Sequence, residues 1–73
     1  MLTQLGTNIQ VERKRCGLTQ ERLAEIIDVH PRIVQKIEAG ALNPKSTTLL
    51  RIQSALGCPW GRMFTKIVAG SLP

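Results

Sequence analysis

Apolar residues along this chain recur at intervals of three and four, the spacing of helix faces, and nowhere alternate as they would in a strand. Leu5 and Ile9 share a face that Arg13 and Cys16 continue, which predicts a first helix from about Thr3 or Leu5 to Arg15. Gly17 is expected to close it, since glycine takes the left-handed conformation without a Cβ clash. Thr19 is the expected N-cap of a second helix, with Leu18 and Leu23 spaced as a hydrophobic staple and Glu21 in the favourable first turn. Leu23, Ala24 and Ile27 form its buried stripe, and it stops near Ile27. Asp28-Val29-His30-Pro31 is a short break: Asp28 is suited to a left-handed turn and Pro31 to the first position of a new helix. A third helix follows over residues 31–39 and ends at Gly40. Its core face is Val34 and Ile37. Arg32, Lys36 and Ala39 point the opposite way, with Gln35 beside them and Ile33 on the flank. After the loop Ala41-Leu42-Asn43-Pro44, a fourth helix from about Ser46 buries Leu49, Ile52, Ala55 and Leu56 and is capped by Gly57. A fifth, from near Pro59, carries Trp60, Met63, Phe64, Ile67 and Val68 on one side. The fold class is therefore all-α, with five helices.

The 73 residues are expected to make one domain over residues 1–73, its core at about 5–68 and a short C-terminal tail beyond. Hydrophobic residues make up 42%, enough for a thin core and too many for a disordered chain. Ten Lys and Arg stand against five acids, and all five acids fall at or before Glu38. The outward face of the third helix is cationic and free of acids. Such a balance favours polyanionic partners. One His, no Tyr and a few scattered carboxylates leave little from which to build a catalytic centre, so no enzyme activity, cofactor, metal or small-molecule ligand is expected. Cys16 and Cys58 lie in no metal-ligand spacing and read as free thiols of a reducing cytoplasm. No signal peptide and no apolar run of membrane length are seen, so no membrane association is expected.

Two short helices joined by a tight turn, Thr19 to Ala39, have the form of a helix-turn-helix unit. The ordered set Gly17-Leu18-Thr19-Gln20-Glu21-Arg22-Leu23-Ala24, Val34-Gln35-Lys36-Ile37-Glu38-Ala39-Gly40, Asn43-Pro44 and Ala55-Leu56-Gly57 resembles the Xre family of Cro and phage-repressor type DNA-binding proteins. The resemblance runs without gaps from about Gly6 to Phe64. It implies a compact five-helix, lambda-repressor-like domain with helices two and three as the helix-turn-helix. By the same resemblance Arg32 and Lys36 are candidate base contacts; their places on the third helix add Gln35, which could pair with adenine, and Ile33, which could touch a thymine methyl or pack on the flank. Gln20, His30, Gly40, Asn43 and Lys45 are the candidate phosphate contacts, and Arg13 with Glu38 matches the family's structural ion pair. Trp60, Met63 and Phe64 are first of all expected in the core; because family members often pair through their last helix, Trp60, Met63, Phe64, Ile67 and Val68 are also the candidate homodimer interface. The chain departs from the pattern at Asp28, where glycine is usual, and at His30, where Ser or Thr usually caps. It departs again at Pro31, where a polar base reader often stands, and at Lys45 and Pro59, where small polar caps are usual.

The expected function is sequence-specific binding of double-stranded DNA as a transcriptional regulator. It would act as a homodimeric repressor or operon controller, with the third helix reading a near-palindromic operator. The rival from another class is a protein-interaction module, antitoxin-like, that binds a toxin or RNA polymerase, with DNA secondary. A non-specific nucleic-acid binder is a third reading, disfavoured for single strands by the presence of only one Trp and one Phe.

Overall fold

The computed structural model describes residues 2–63. Five helices follow in order: α1 (Leu2–Arg15), α2 (Gln20–Ile27), α3 (Pro31–Glu38), α4 (Ser46–Leu56) and α5 (Trp60–Met63). Among the described residues there is no strand. α2 packs on α3 and α4, while α1 runs against α3, α4 and α5.

Local chemistry sets the helix ends. The Thr19 hydroxyl accepts the Arg22 N–H at 3.0 Å, an N-cap bond that satisfies one donor the helix itself cannot. α1, α2 and α3 all finish in the same double-bonded turn. Leu18 and Gly17 donate back to the Arg13 and Lys14 carbonyls, Val29 and Asp28 to Ala24 and Glu25, and Ala41 and Gly40 to Lys36 and Ile37. The motif needs one left-handed residue, supplied by Gly17, Asp28 (φ 60°) and Gly40. Asp28 fills the usual glycine position because a short carboxylate side chain tolerates this region better than most.

The core is one cluster of Leu5, Ile9, Leu23, Ala24, Ile27, Val34, Ile37, Ile52, Leu56, Cys58 and Met63. Gly6 is buried where α1 crosses the end of α3. A Cβ there would lie 2.3 Å from the Ile37 carbonyl oxygen and 2.7 Å from that of Glu38, so only glycine lets the two backbones approach.

Some expectations shift. α1 begins at Leu2, and α3 ends one residue early, with Ala39 as its cap. Leu49 and Ala55 are half-buried beside the core rather than inside it. Cys16 lies past the end of α1 and is exposed, its thiol donating to the Leu56 carbonyl at 3.2 Å. Met63 is fully buried in the chain's own core, the first of the two places expected for it, whereas Trp60, expected there too, is exposed. Phe64, Ile67 and Val68 lie outside the described residues.

Candidate nucleic-acid interface

α3 is held from behind and open in front. Val34 and Ile37 are buried, Ile33 is half-buried against the core, and Arg32, Gln35 and Lys36 are exposed. Three donors of one helix thus face solvent from a rigid, apolar anchorage. A rod of this width fits a DNA major groove.

The far end of α3 is locked by charge. Glu38 is buried at the C-terminus of the helix, where the dipole disfavours a carboxylate. Arg13 of α1 meets it with both arms of the guanidinium: Nε donates to Oε2 at 2.7 Å and Nη2 to Oε1 at 3.1 Å. The remaining arm, Nη1, donates to the Leu18 carbonyl at 2.7 Å. Gln20, at the start of α2, donates Nε2 to Glu38 Oε1 at 2.9 Å. Glu38 therefore ties together α1, α2 and α3, and among the described residues no buried side-chain polar atom is left without a partner.

The near end of α3 is closed by the turn. Pro31 is its first residue, and His30 Nδ1 accepts the Arg32 N–H at 3.1 Å. Behind the turn, Arg51 of α4 reaches the Ile27 carbonyl at 3.4 Å, placing a cation at a helix end that carries none of its own.

The other expected contact residues are scattered around this face in different states. Asn43 and Lys45 are exposed. The N–H of Gly40, another expected phosphate contact, donates to the Ile37 carbonyl at 3.1 Å, which closes α3. Its α position sits against Thr3, so it is a packing residue as well as a turn residue.

Helical periodicity did not reveal Glu12. It is buried on the side of α1 that faces α5, with Arg62 Nε at 3.2 Å and Arg15 Nε at 3.8 Å. Together with Asn8, which donates to the Met63 carbonyl, it docks α5. Burial first, and the Glu12 charge second, push the Cys58 thiol above its ordinary value. Among the described residues no three His, Cys, Asp or Glu side chains gather into a metal site, and no helix is long and apolar enough to cross a membrane.

A helix-turn-helix family model matches residues 9–62, most of the described chain. The chain belongs to the helix-turn-helix family, Xre/Cro type. Solved helix-turn-helix regulators share its fold. The restriction-modification controller protein C.AhdI from Aeromonas hydrophila superposes with a TM-score of 0.81 at 27% identity, over 86% of this chain and 96% of that one. The clp gene regulator ClgR from Corynebacterium glutamicum gives 0.84 at 25% identity, over 93% of this chain and 72% of that one. In sequence, Multiprotein-bridging factor 1a of Arabidopsis thaliana is 36% identical over 55 residues. Those residues are 75% of this helix-turn-helix chain and 39% of the plant protein, so the chain spans about two fifths of that relative's length. The family is one of DNA-binding transcription regulators, and α2, the Asp28 turn and α3 are its helix-turn-helix here.

Proposed function

We propose that this protein is a homodimeric operon controller or repressor that reads a near-palindromic duplex with α3. The observation that carries this reading is the outward set of Arg32, Gln35 and Lys36 on a helix whose opposite side is buried. Arg32 would bridge the N7 and O6 acceptors of a guanine, Gln35 and Lys36 would reach neighbouring base edges, and Ile33 would brush a thymine methyl. Gln20, His30, Asn43 and Lys45 would hold the backbone, setting register and salt dependence while α3 sets sequence. Two copies would place their α3 helices about 34 Å apart in successive major grooves. The exposed Trp60 and the residues that follow Met63 are the proposed seam. Regulation would then be by occupancy of the site.

Selection of bound fragments from sheared genomic DNA tests the whole of this reading, because it returns site, symmetry and spacing together. A two-fold site with half-sites one helical turn apart is expected. An enriched pool with no shared sequence would reject it. The interaction-module reading is favoured by one observation, the name of the bridging-factor relative. Under that reading no duplex would shift at moderate salt, and Arg32 and Lys36 would tolerate replacement.

A further inference from the structure

In the first turn of α3 two backbone donors depend on one residue. The first N–H groups of a helix lack partners within it. In α3 the first position is Pro31, which has no N–H. The Arg32 N–H donates to the His30 ring at Nδ1, and the Ile33 N–H donates to the His30 carbonyl at 2.9 Å. One residue thus answers the Arg32 and Ile33 donors.

The ring can accept in only one state. A neutral imidazole has one N–H and one lone pair. With Nδ1 accepting from Arg32, the proton belongs on Nε2. A second proton turns Nδ1 into a donor that faces another donor, and it also sets a cation at the positive end of the helix dipole. Both effects open the first turn. Imidazole is the side chain that changes charge between about pH 5 and 8. The charged groups on the turn and on the elements packed around it are few. Asp28 lies in the turn, Arg32 on α3, and Arg51 comes from α4 on the Ile27 carbonyl; Glu25 of α2 is engaged by Arg22.

We propose that His30 is a positioning residue for DNA reading by α3: its neutral ring holds the Arg32 amide, and so the charge on that ring sets whether the Arg32 side chain is presented in register. This rests on the reading of α3 as the base-reading helix. The first turn is closed while the ring is neutral and Nδ1 accepts, and it frays when a second proton makes Nδ1 a donor. Asn at the same position caps well and does not titrate, whereas Ala does not titrate and has no side chain with which to cap.

The test is the Arg32 amide itself, followed by NMR in the full chain from pH 8 to pH 5 in wild type, His30→Asn and His30→Ala. In wild type the amide should move in a one-proton titration with the midpoint of the His30 ring. Its exchange protection, corrected for the intrinsic effect of pH, should fall roughly fivefold. In His30→Asn it should stay protected and flat, and in His30→Ala it should be unprotected throughout. An Arg32 amide that ignores the ring's titration overturns the proposal, as does a His30→Asn amide that titrates like wild type. The same samples are then assayed on a selected and a random duplex at pH 8 and 6. Preference for the selected duplex should narrow at pH 6 in wild type; in His30→Asn, whose overall affinity shifts with the altered backbone contact, the preference should be the same at both pH values. A flat amide beside intact selective binding rejects the role of His30 alone. A titrating amide in a protein with no preference at any pH rejects the base-reading role on which it depends.

Discussion

Replacing Glu38 by Ala removes the knot between three helices and leaves Arg13 without a counter-charge. The side chains of Arg13 and Glu38 are only 8% and 3% exposed, so water cannot take the carboxylate's place without opening the core. Stranding a buried charge in this way costs about 3 to 5 kcal/mol. Three donor bonds end on Glu38, two from Arg13 and one from Gln20, and all are lost together. A domain of this length holds about 4 to 11 kcal/mol in total, so the loss is a large share of it. In thermal terms it should lower Tm by at least about 12 °C. Glu21 is the control: it is an exposed acid on α2, and Glu21→Ala should change stability by no more than about 0.5 kcal/mol. Melts followed by circular dichroism at 222 nm read both. The double variant Arg13→Met, Glu38→Leu should be more stable than Glu38→Ala, because it leaves no charge behind. The wild-type pair should also resist salt, being shielded from mobile ions. Equal melting temperatures for Glu38→Ala and Glu21→Ala would refute the reasoning.

The other predictions concern packing and titration. Gly6→Ala adds a methyl inside the radius of two carbonyl oxygens, and it should cost about 1 to 3 kcal/mol in urea melts even though Ala is the better helix former. Gly61→Ala, whose added Cβ meets nothing within 4 Å, should be neutral or stabilising, and the reverse ranking would contradict the close crossing of α1 and α3. The fold favours the neutral thiol of Cys58, raised above 9.0 by burial and then by Glu12. Its contribution is therefore complete below about pH 9 and is lost as pH rises through the folded value. Tm should fall in alkaline buffer, and Cys58→Ala should flatten that fall; identical slopes would reject the assignment. A thiol reagent should modify exposed Cys16 well before buried Cys58, and simultaneous labelling in the native protein would argue against the core position of Cys58.

Helix existence and most helix ends were legible in the sequence, because they depend on local chemistry: the Thr19 cap, Pro31 at the first turn, and Gly17, Gly40 and Gly57 where φ is positive. Asp28 could be placed for the same reason. The buried side of α1 was harder to read. Its row from Leu5 through Ile9 ends on Arg13, and its second row contains Glu12, so charge hides two buried positions from any apolar count. Their burial depends on Glu38 and Arg62, which lie far along the chain. Gly6 gives no signal either, since a glycine needed for a close crossing looks like any glycine in a helix. Met63 could be read as core or as seam because both demand the same apolar side chain, and only the packing of α5 on α1 separates them. The outward face of α3 needed only periodicity: Val34 and Ile37 inward leave Arg32, Gln35 and Lys36 outward.

The account stands most directly on the ratio of affinities for a selected and a random duplex, measured at one stated salt concentration for wild type and Arg32→Ala. Loss of a base contact should cost about 1 to 3 kcal/mol on the selected duplex and little on the random one, so the ratio should collapse mainly through one base-pair position. Lys36→Ala, measured alongside, should lower the salt slope by about 1 if that side chain meets a phosphate. A ratio that Arg32→Ala leaves unchanged would contradict the claim that the outward face of α3 reads DNA.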